Sequence, residues 1–154
     1  MIGRLPVSAD IIFLERLYYE TRRGEMEQWG FAPQQLAEIV KLQFRARELA
    51  YQTNYPGSEC RIISDDGQPV GAYRVYYGTD AIRLVDIALL PAARGGGIGT
   101  SLLRMLQDQA RQRQLPLRLS VDNGNTRARL LYERLGFQVV QEGELYSEMN
   151  WPPQ

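Results

Sequence analysis

The run Arg94-Gly95-Gly96-Gly97-Ile98-Gly99-Thr100 carries the strongest chemical signal in this sequence. It follows an apolar stretch, Ala81 to Leu90, interrupted only by Arg83 and Asp86. It opens a segment in which Ile98, Leu102, Leu103, Leu106 and Ala110 recur at helical spacing. Consecutive glycines let the backbone take positive φ and let an outside group approach without meeting a Cβ. The first N–H groups of a helix have no partner inside it, and the helix dipole adds to their pull on an anion. Arg94 places a positive charge at the rim. A pyrophosphate suits such a turn; a glycine turn without a ligand is the alternative. The P-loop pattern needs Gly-Lys-Ser/Thr, and this stretch has no lysine. The dinucleotide pattern G-x-G-x-x-G fails from Gly95, where Thr100 stands in the third place, and from Gly97, where Leu102 does. The pattern R-x-x-G-x-G fits, through Arg94, Gly97 and Gly99.

A second constellation lies downstream. Asn125, Ala128 and Tyr132 share one side of a helix expected from Asn125 to Leu135, since positions seven apart differ by only about 20°. Leu131 and Leu135 are then free to face a sheet, and Gly136-Phe137 ends the element. The run Asn125 to Phe137 matches N-x-x-A-x-x-x-Y-x-x-x-G-F, and the earlier turn matches Gln/Arg-x-x-Gly-x-Gly/Ala. Together, in this order and separated by one helix and one strand, they resemble the GCN5-related N-acetyltransferase (GNAT) superfamily. The resemblance implies a mixed, mostly antiparallel central sheet of about 6–7 strands flanked by four helices. It also implies one acetyltransferase domain over residues 1–154.

The resemblance further implies an acyl-CoA-dependent N-acyltransferase that moves an acetyl group directly from acetyl-CoA to a primary amine in a ternary complex. The amine belongs to a small molecule, a peptide or a protein. Backbone groups of Ala88, Leu89 and Leu90 would pair with the pantetheine arm like an added strand. The Leu89 N–H would polarise the thioester carbonyl. Arg94, Gly95, Gly96, Gly97, Ile98, Gly99 and Thr100 would hold the pyrophosphate, and Asn125 would contact the cosubstrate from the other side. Tyr132 would protonate the leaving thiolate; a phenol of pKa about 10 suits a thiol of about 8.5. Asp86 stands where relatives often carry an acid that works through water. Its other reading is a structural ion pair with Arg74 or Arg83, because a buried, unpaired carboxylate is costly. A noncatalytic acyl-CoA-binding module on the same fold is the rival from another class.

Cys60 is open to two readings, a nucleophile in a two-step reaction or a core residue of a strand, and the resemblance to direct-transfer enzymes favours the core. By the same resemblance the first two helices, their loop and the last hairpin build the acceptor pocket. Glu20, Glu25 and Glu27 could draw a cationic amine there, with Trp29, Tyr18, Tyr19 and Tyr146 as walls. A mixed-sign solvated surface is the simpler reading of those charges, and Arg22 and Arg23 dilute them.

The positioning elements follow the order β-α-α-β-β-β-α-β-α-β-β. A short strand is expected at Gly3 to Val7. Ser8 can cap a helix that starts near Ala9 and fades at Arg23-Gly24, with Gly24 to Phe31 as a loop. Pro33 suits the start of a second helix, whose stripe is Leu36, Ile39, Val40, Gln43, Phe44 and Ala50. Cys60 to Ile63 and Val70 to Tyr77 form a hairpin around Asp65-Asp66-Gly67. Ala81 to Leu90 reads as a central strand covered on both faces. Further strands fall at Leu117 to Val121, Phe137 to Val140 and Leu145 to Trp151.

Composition narrows the chemistry. The 154 residues contain no histidine, which excludes a Ser-His-Asp triad, a Cys-His pair and a histidine-ligated metal, and no metal site is expected. Lys+Arg and Asp+Glu are each 18, so a nucleic-acid partner held by net charge is not expected. No apolar stretch spans a bilayer and no secretory signal is visible, so no membrane partner is expected. One cysteine suits a reducing cytoplasm. The resemblance leaves room for a homodimer.

Overall fold

The computed structural model describes residues 2–152. The chain divides into two compact units. One comprises Gly3–Arg74 and Asp86–Gly96; the other comprises chiefly Val75–Val85 and the chain from Gly97 onward. The strands form one six-stranded sheet in the order β1-β2-β3-β4-β6-β5.

In the N-terminal unit, the strand expected at Gly3 to Val7 shrinks to a single bridge between Arg4 and Ile62. Pro6 has no N–H with which to extend it. A short 3-10 turn, Ser8–Asp10, leads into α1 (Ile11–Glu27). Ser8 makes no capping bond; the Asp10 carboxylate accepts the Val7 N–H at 2.7 Å instead. Helix α1 runs through Gly24, where a loop was expected. Its last turn carries Met26, fully buried against Tyr18, Val40 and Phe44, with Trp29 packed alongside. Tertiary burial outweighs the helix cost of one glycine, about 1 kcal/mol. Helix α2 (Pro33–Asn54) begins on Pro33 and ends at Tyr55, as expected. β1 (Glu59–Asp65) and β2 (Gln68–Tyr77) flank a turn in which both Asp66 (φ 49°) and Gly67 (φ 77°) are left-handed, the geometry that matches strand twist in a two-residue hairpin. Leu17, Ile62 and Ala72 form a second core cluster, with Ala88 and Leu90 packed on it.

β3 (Ile82–Leu89) runs through both units. Its first residues belong to the C-terminal unit and pair in parallel with β4 (Leu117–Asp122), Ile82 opposite Leu117 and Leu84 opposite Leu119. β4 alternates strictly, with Leu117, Leu119 and Val121 buried. It pairs antiparallel with β6 (Tyr146–Trp151), which pairs antiparallel with β5 (Gln138–Glu142). Helix α3 (Ile98–Arg113) buries Leu102, Leu103, Leu106 and Ala110, the stripe legible in the sequence. Helix α4 (Thr126–Arg134) ends at Gly136, whose φ of 95° only glycine takes without strain. Among the described residues no helix is long and apolar enough to cross a membrane.

Candidate active site

The expected full cover of β3 does not extend to its second half. Ile82 and Leu84 are buried, but Val85 to Leu89 are each half-buried. Beyond it the Leu90 N–H donates to the Val70 carbonyl at 2.8 Å. Of the three residues expected to offer backbone donors, Leu90 therefore has its N–H engaged by the protein. A 3-10 turn, Pro91–Ala93, follows. Arg94 is exposed, and its Nε donates to the Leu89 carbonyl at 3.1 Å. The side chain that heads the glycine turn thus grips the end of β3.

The turn is built for backbone exposure. Gly95 (φ 81°) and Gly97 (φ 88°) are left-handed, and a Cβ on Gly97 would meet nothing within 4 Å. Gly97 is the N-cap of α3 and offers no side chain to the helix end. The ladder of α3 opens with the Ser101 N–H donating to the Gly97 carbonyl at 3.0 Å. The amides of Ile98, Gly99 and Thr100 precede it and project from an uncapped, positive helix end.

In the C-terminal unit a Cβ on Gly99 would lie 3.7 Å from Leu131, so the start of α3 and the middle of α4 are neighbours. Asn125 caps α4: its Oδ1 accepts the Ala128 N–H at 3.1 Å. That bond uses the two motif residues on each other. Tyr132 is 7% exposed, and its ring lies 5.8 Å from that of Phe137, tilted by 58°. The buried Gln107 of α3 donates to the Leu135 carbonyl at 2.8 Å and ties down the end of the helix that carries Tyr132.

Asp86 lies in the N-terminal unit, in a pocket lined by residues of α1, α2, β1, β2 and β3. Neither expected partner holds it. Arg83 is taken by Glu148, at 2.8 and 2.9 Å. Arg74 is taken by Glu48 at 2.5 Å and Ser58 at 3.1 Å. The cation beside Asp86 is Arg47 of α2, with Nη1 3.6 Å from Oδ2. The Asp86 side chain keeps 32% exposure. Burial raises its pKa above the usual carboxylate range; Arg47 opposes that rise, Glu48 adds to it, and Arg74 opposes it. The same burial pushes the nearby Tyr51 hydroxyl up to about 12, with Asp86 adding to the rise, and pushes the Cys60 thiol up. Cys60 is half-buried and lines this pocket, and its raised pKa makes it a poor nucleophile near neutrality.

The acids of the α1 end are spent on each other's neighbours. Glu25 takes Arg22 at 2.9 Å, Glu27 takes Arg23 at 2.9 Å, and Glu20 lies 3.8 Å from Arg23. Arg22 covers the rings of Tyr18 and Trp29, at 5.5 and 6.0 Å. The mixed-sign surface, the simpler reading of that segment, is what the structure displays.

The profile of the Acetyltransferase (GNAT) family matches residues 14–137. This chain belongs to the GNAT acetyltransferase family. The fold resembles that of PaiA N-acetyltransferase from Thermoplasma acidophilum, a structure in complex with coenzyme A, at TM-score 0.71 and 15% identity over 96% of this chain and 95% of that one. It also resembles PH1933 from Pyrococcus horikoshii OT3 (TM-score 0.73, 17% identity, 98% and 95% covered). An acetyltransferase from Thermus thermophilus is a third neighbour (TM-score 0.67, 18% identity, 99% and 95% covered). No curated protein matches the sequence significantly.

For a GNAT acetyltransferase, sequence reasoning missed Arg47, Glu48 and Tyr51. The signal was present. The stripe of α2 that buries Val40 and Phe44 continues at helical spacing to Arg47, Glu48 and Tyr51, and charges on a core-facing stripe mark a polar site. It also missed Gly71. A Cβ there would stand 2.5 Å from Leu89 Cδ2 and 2.6 Å from the Ala88 carbonyl oxygen, so only glycine lets β2 approach this end of β3.

Proposed function

We propose that the chain works as one acetyltransferase domain that moves an acetyl group from acetyl-CoA to a primary amine by direct transfer. The carrying observation is the run from Leu89 to Thr100: a half-buried strand end, then two left-handed glycines and an uncapped helix start open to a ligand. Acetyl-CoA supplies an activated acyl thioester and carries a pyrophosphate. The amides from Gly95 to Thr100, with Arg94, bind that pyrophosphate. Backbone groups of Ala88 and Leu89, with the Leu90 carbonyl, bind the pantetheine arm as an added strand. The Leu89 N–H donates to the acyl carbonyl oxygen as negative charge develops there. The Arg94 guanidinium on the Leu89 carbonyl supports this role by fixing the end of the strand. Asn125 holds the start of α4 and contacts the cosubstrate from that side.

The acceptor attacks as a neutral amine. Its nitrogen lone pair forms the C–N bond, the C–S bond breaks, and the sulfur leaves with the electron pair. Tyr132 gives its hydroxyl proton to that sulfur. Asp86 accepts the proton the nitrogen loses, and its raised pKa makes it the stronger base for that task. Overall, an ammonium and a thioester become an amide, a thiol and one released proton.

Calorimetric titration with acetyl-CoA, with ATP and NAD as controls, tests the reading. Acetyl-CoA alone is expected to bind, and absence of binding would reject the glycine-turn assignment. Tyr132→Phe is expected to keep acetyl-CoA affinity and to lower kcat by about 10²–10⁴, read by thiol release.

A further inference from the structure

Four charged side chains share the pocket under α2: Arg47, Glu48, Arg74 and Asp86. Arg74 and Glu48 satisfy each other, with Ser58 as an added partner and the Tyr51 ring 5.2 Å from the Arg74 guanidinium. Arg47 and Asp86 remain. A guanidinium presents five N–H donors. Those of Arg47 make no hydrogen bond among the described residues: the nearest acids are Asp86 at 3.6 Å and Glu48 at 3.7 Å, and the Nε–H is buried with no acceptor. Three rings hold the side chain instead, Tyr18 at 4.6 Å and Phe44 and Tyr51 each at 5.5 Å. Buried donors are nearly always paired, and an exception asks for the group that completes it. The rings keep the fork in place without using its donors.

We infer that the acceptor is a small free amino acid, its amine set against Asp86 and its carboxylate received by Arg47. This rests on the acetyltransfer reading above and names the substrate class for it. Arg47 and Asp86 make no hydrogen bond to each other, and a zwitterion is the complement of the pair. A ligand lying across two receivers 3.6 Å apart carries its own two groups about 3–4 Å apart when each makes an ordinary hydrogen bond. An amine and a carboxylate separated by one or two carbons meet that spacing. A polyamine would bring a second cation to Arg47 and leave its donors unpaired. A peptide N-terminus has a neutral amide where the carboxylate should be. The space enclosed beside the pair is about 20 Å³, room for about one water, so the ligand's two charged groups meet the pair at the pocket mouth and the rest of it lies outside. Ala88 lines the same pocket, one residue from the Leu89 N–H assigned to the acyl carbonyl.

The test uses the intact wild-type protein at saturating acetyl-CoA, with thiol release as the readout. The acceptors are the standard amino acids, their carboxamides and spermidine. At least one amino acid is expected to be acetylated with kcat/KM about tenfold or more above its own carboxamide, the mark of one charge-assisted contact, and spermidine is expected below both. Calorimetry on the CoA-loaded protein should show the same order in binding alone. Arg47→Gln is expected to shrink the acid-over-amide ratio to within about twofold by raising KM for the acid, with acetyl-CoA affinity unchanged. Arg47→Lys, which keeps the charge and loses the fork, is expected to fall between. Thermal melts report whether either variant folds, and the wild-type comparison decides the matter if neither does. Preference for carboxamides or spermidine would overturn the inference, as would acetyl-CoA binding with no amino acid accepted. Failure to bind acetyl-CoA would instead overturn the acetyltransfer reading on which the inference stands.

Discussion

Arg4 grips Asp10 through two hydrogen bonds of 2.7 and 2.9 Å, and the Val7 N–H adds a third at 2.7 Å. Arg47 stands 3.6 Å from Asp86 and makes none. Both pairs belong to the N-terminal unit, and both join an arginine to an aspartate. The Arg4 hydrogen bonds, then that of Val7, hold the Asp10 carboxyl at about 2. Burial, opposed by an arginine beyond hydrogen-bond reach, pushes Asp86 the other way. A saturated pair ties a chain segment to a helix start. An unsaturated one keeps its donors and its basicity for something else, at a cost to the fold.

Asp86→Asn probes that contrast with the largest expected effect. Turnover at neutral pH should fall about hundredfold or more, as for loss of a general base. The acid limb of the wild-type kcat/KM profile should vanish in the variant. Stability should move the other way. The folded-state pKa of Asp86 lies above its unfolded value, so its favourable contribution is present below about 3.8 and is lost as pH rises through the folded value. Ionising Asp86 costs more in the folded chain than in the unfolded one, so the asparagine variant should melt no lower than wild type at any pH where Asp86 is ionised. A clear drop in Tm would make this pair structural, like the first.

Gly71→Ala should cost about 1–3 kcal/mol of stability, the usual range for overpacking, because the new methyl meets both Leu89 and the Ala88 carbonyl. Denaturant melts measure it. KM for acetyl-CoA should rise with it, since the displaced strand end is the one assigned to the pantetheine arm.

Asp10→Asn should be the smallest change and the mirror of the first. Its contribution is present above about 3.8 and lost as pH falls through about 2. The variant should melt a few degrees lower at pH 7 and keep its kcat, and the gap should close as pH approaches 2. Lost turnover with unchanged Tm would erase the distinction between the pairs.

Helices α2, α3 and α4 could be read from Pro33, from the Leu102-Leu103-Leu106 stripe and from Gly136 because start, stop and periodicity are local features. The end of α1 could not, because Gly24 speaks locally for a break while Met26 is held by residues of α2. The N-terminal strand failed for a similar reason: one bridge to Ile62 depends on what lies opposite. At the site, the left-handed glycines were legible in the residues themselves, whereas Asn125, expected inside α4, turned out to cap it. The partner of Asp86 was not. Arg74, Arg83 and Arg47 look alike in sequence, and the choice fell to which arginines Glu48 and Glu148 had already taken.

The sequence by itself determined the family and the open glycine turn, through glycine conformations and helix ends that depend on a few adjacent residues. It also excluded every histidine-based mechanism. Only the tertiary structure decided where charge is satisfied and where it is left open. Burial and ion pairing are set by contacts between α1, α2 and three strands that lie far apart along the chain, and the Arg47 donors stay unpaired because that packing holds every acid just out of reach.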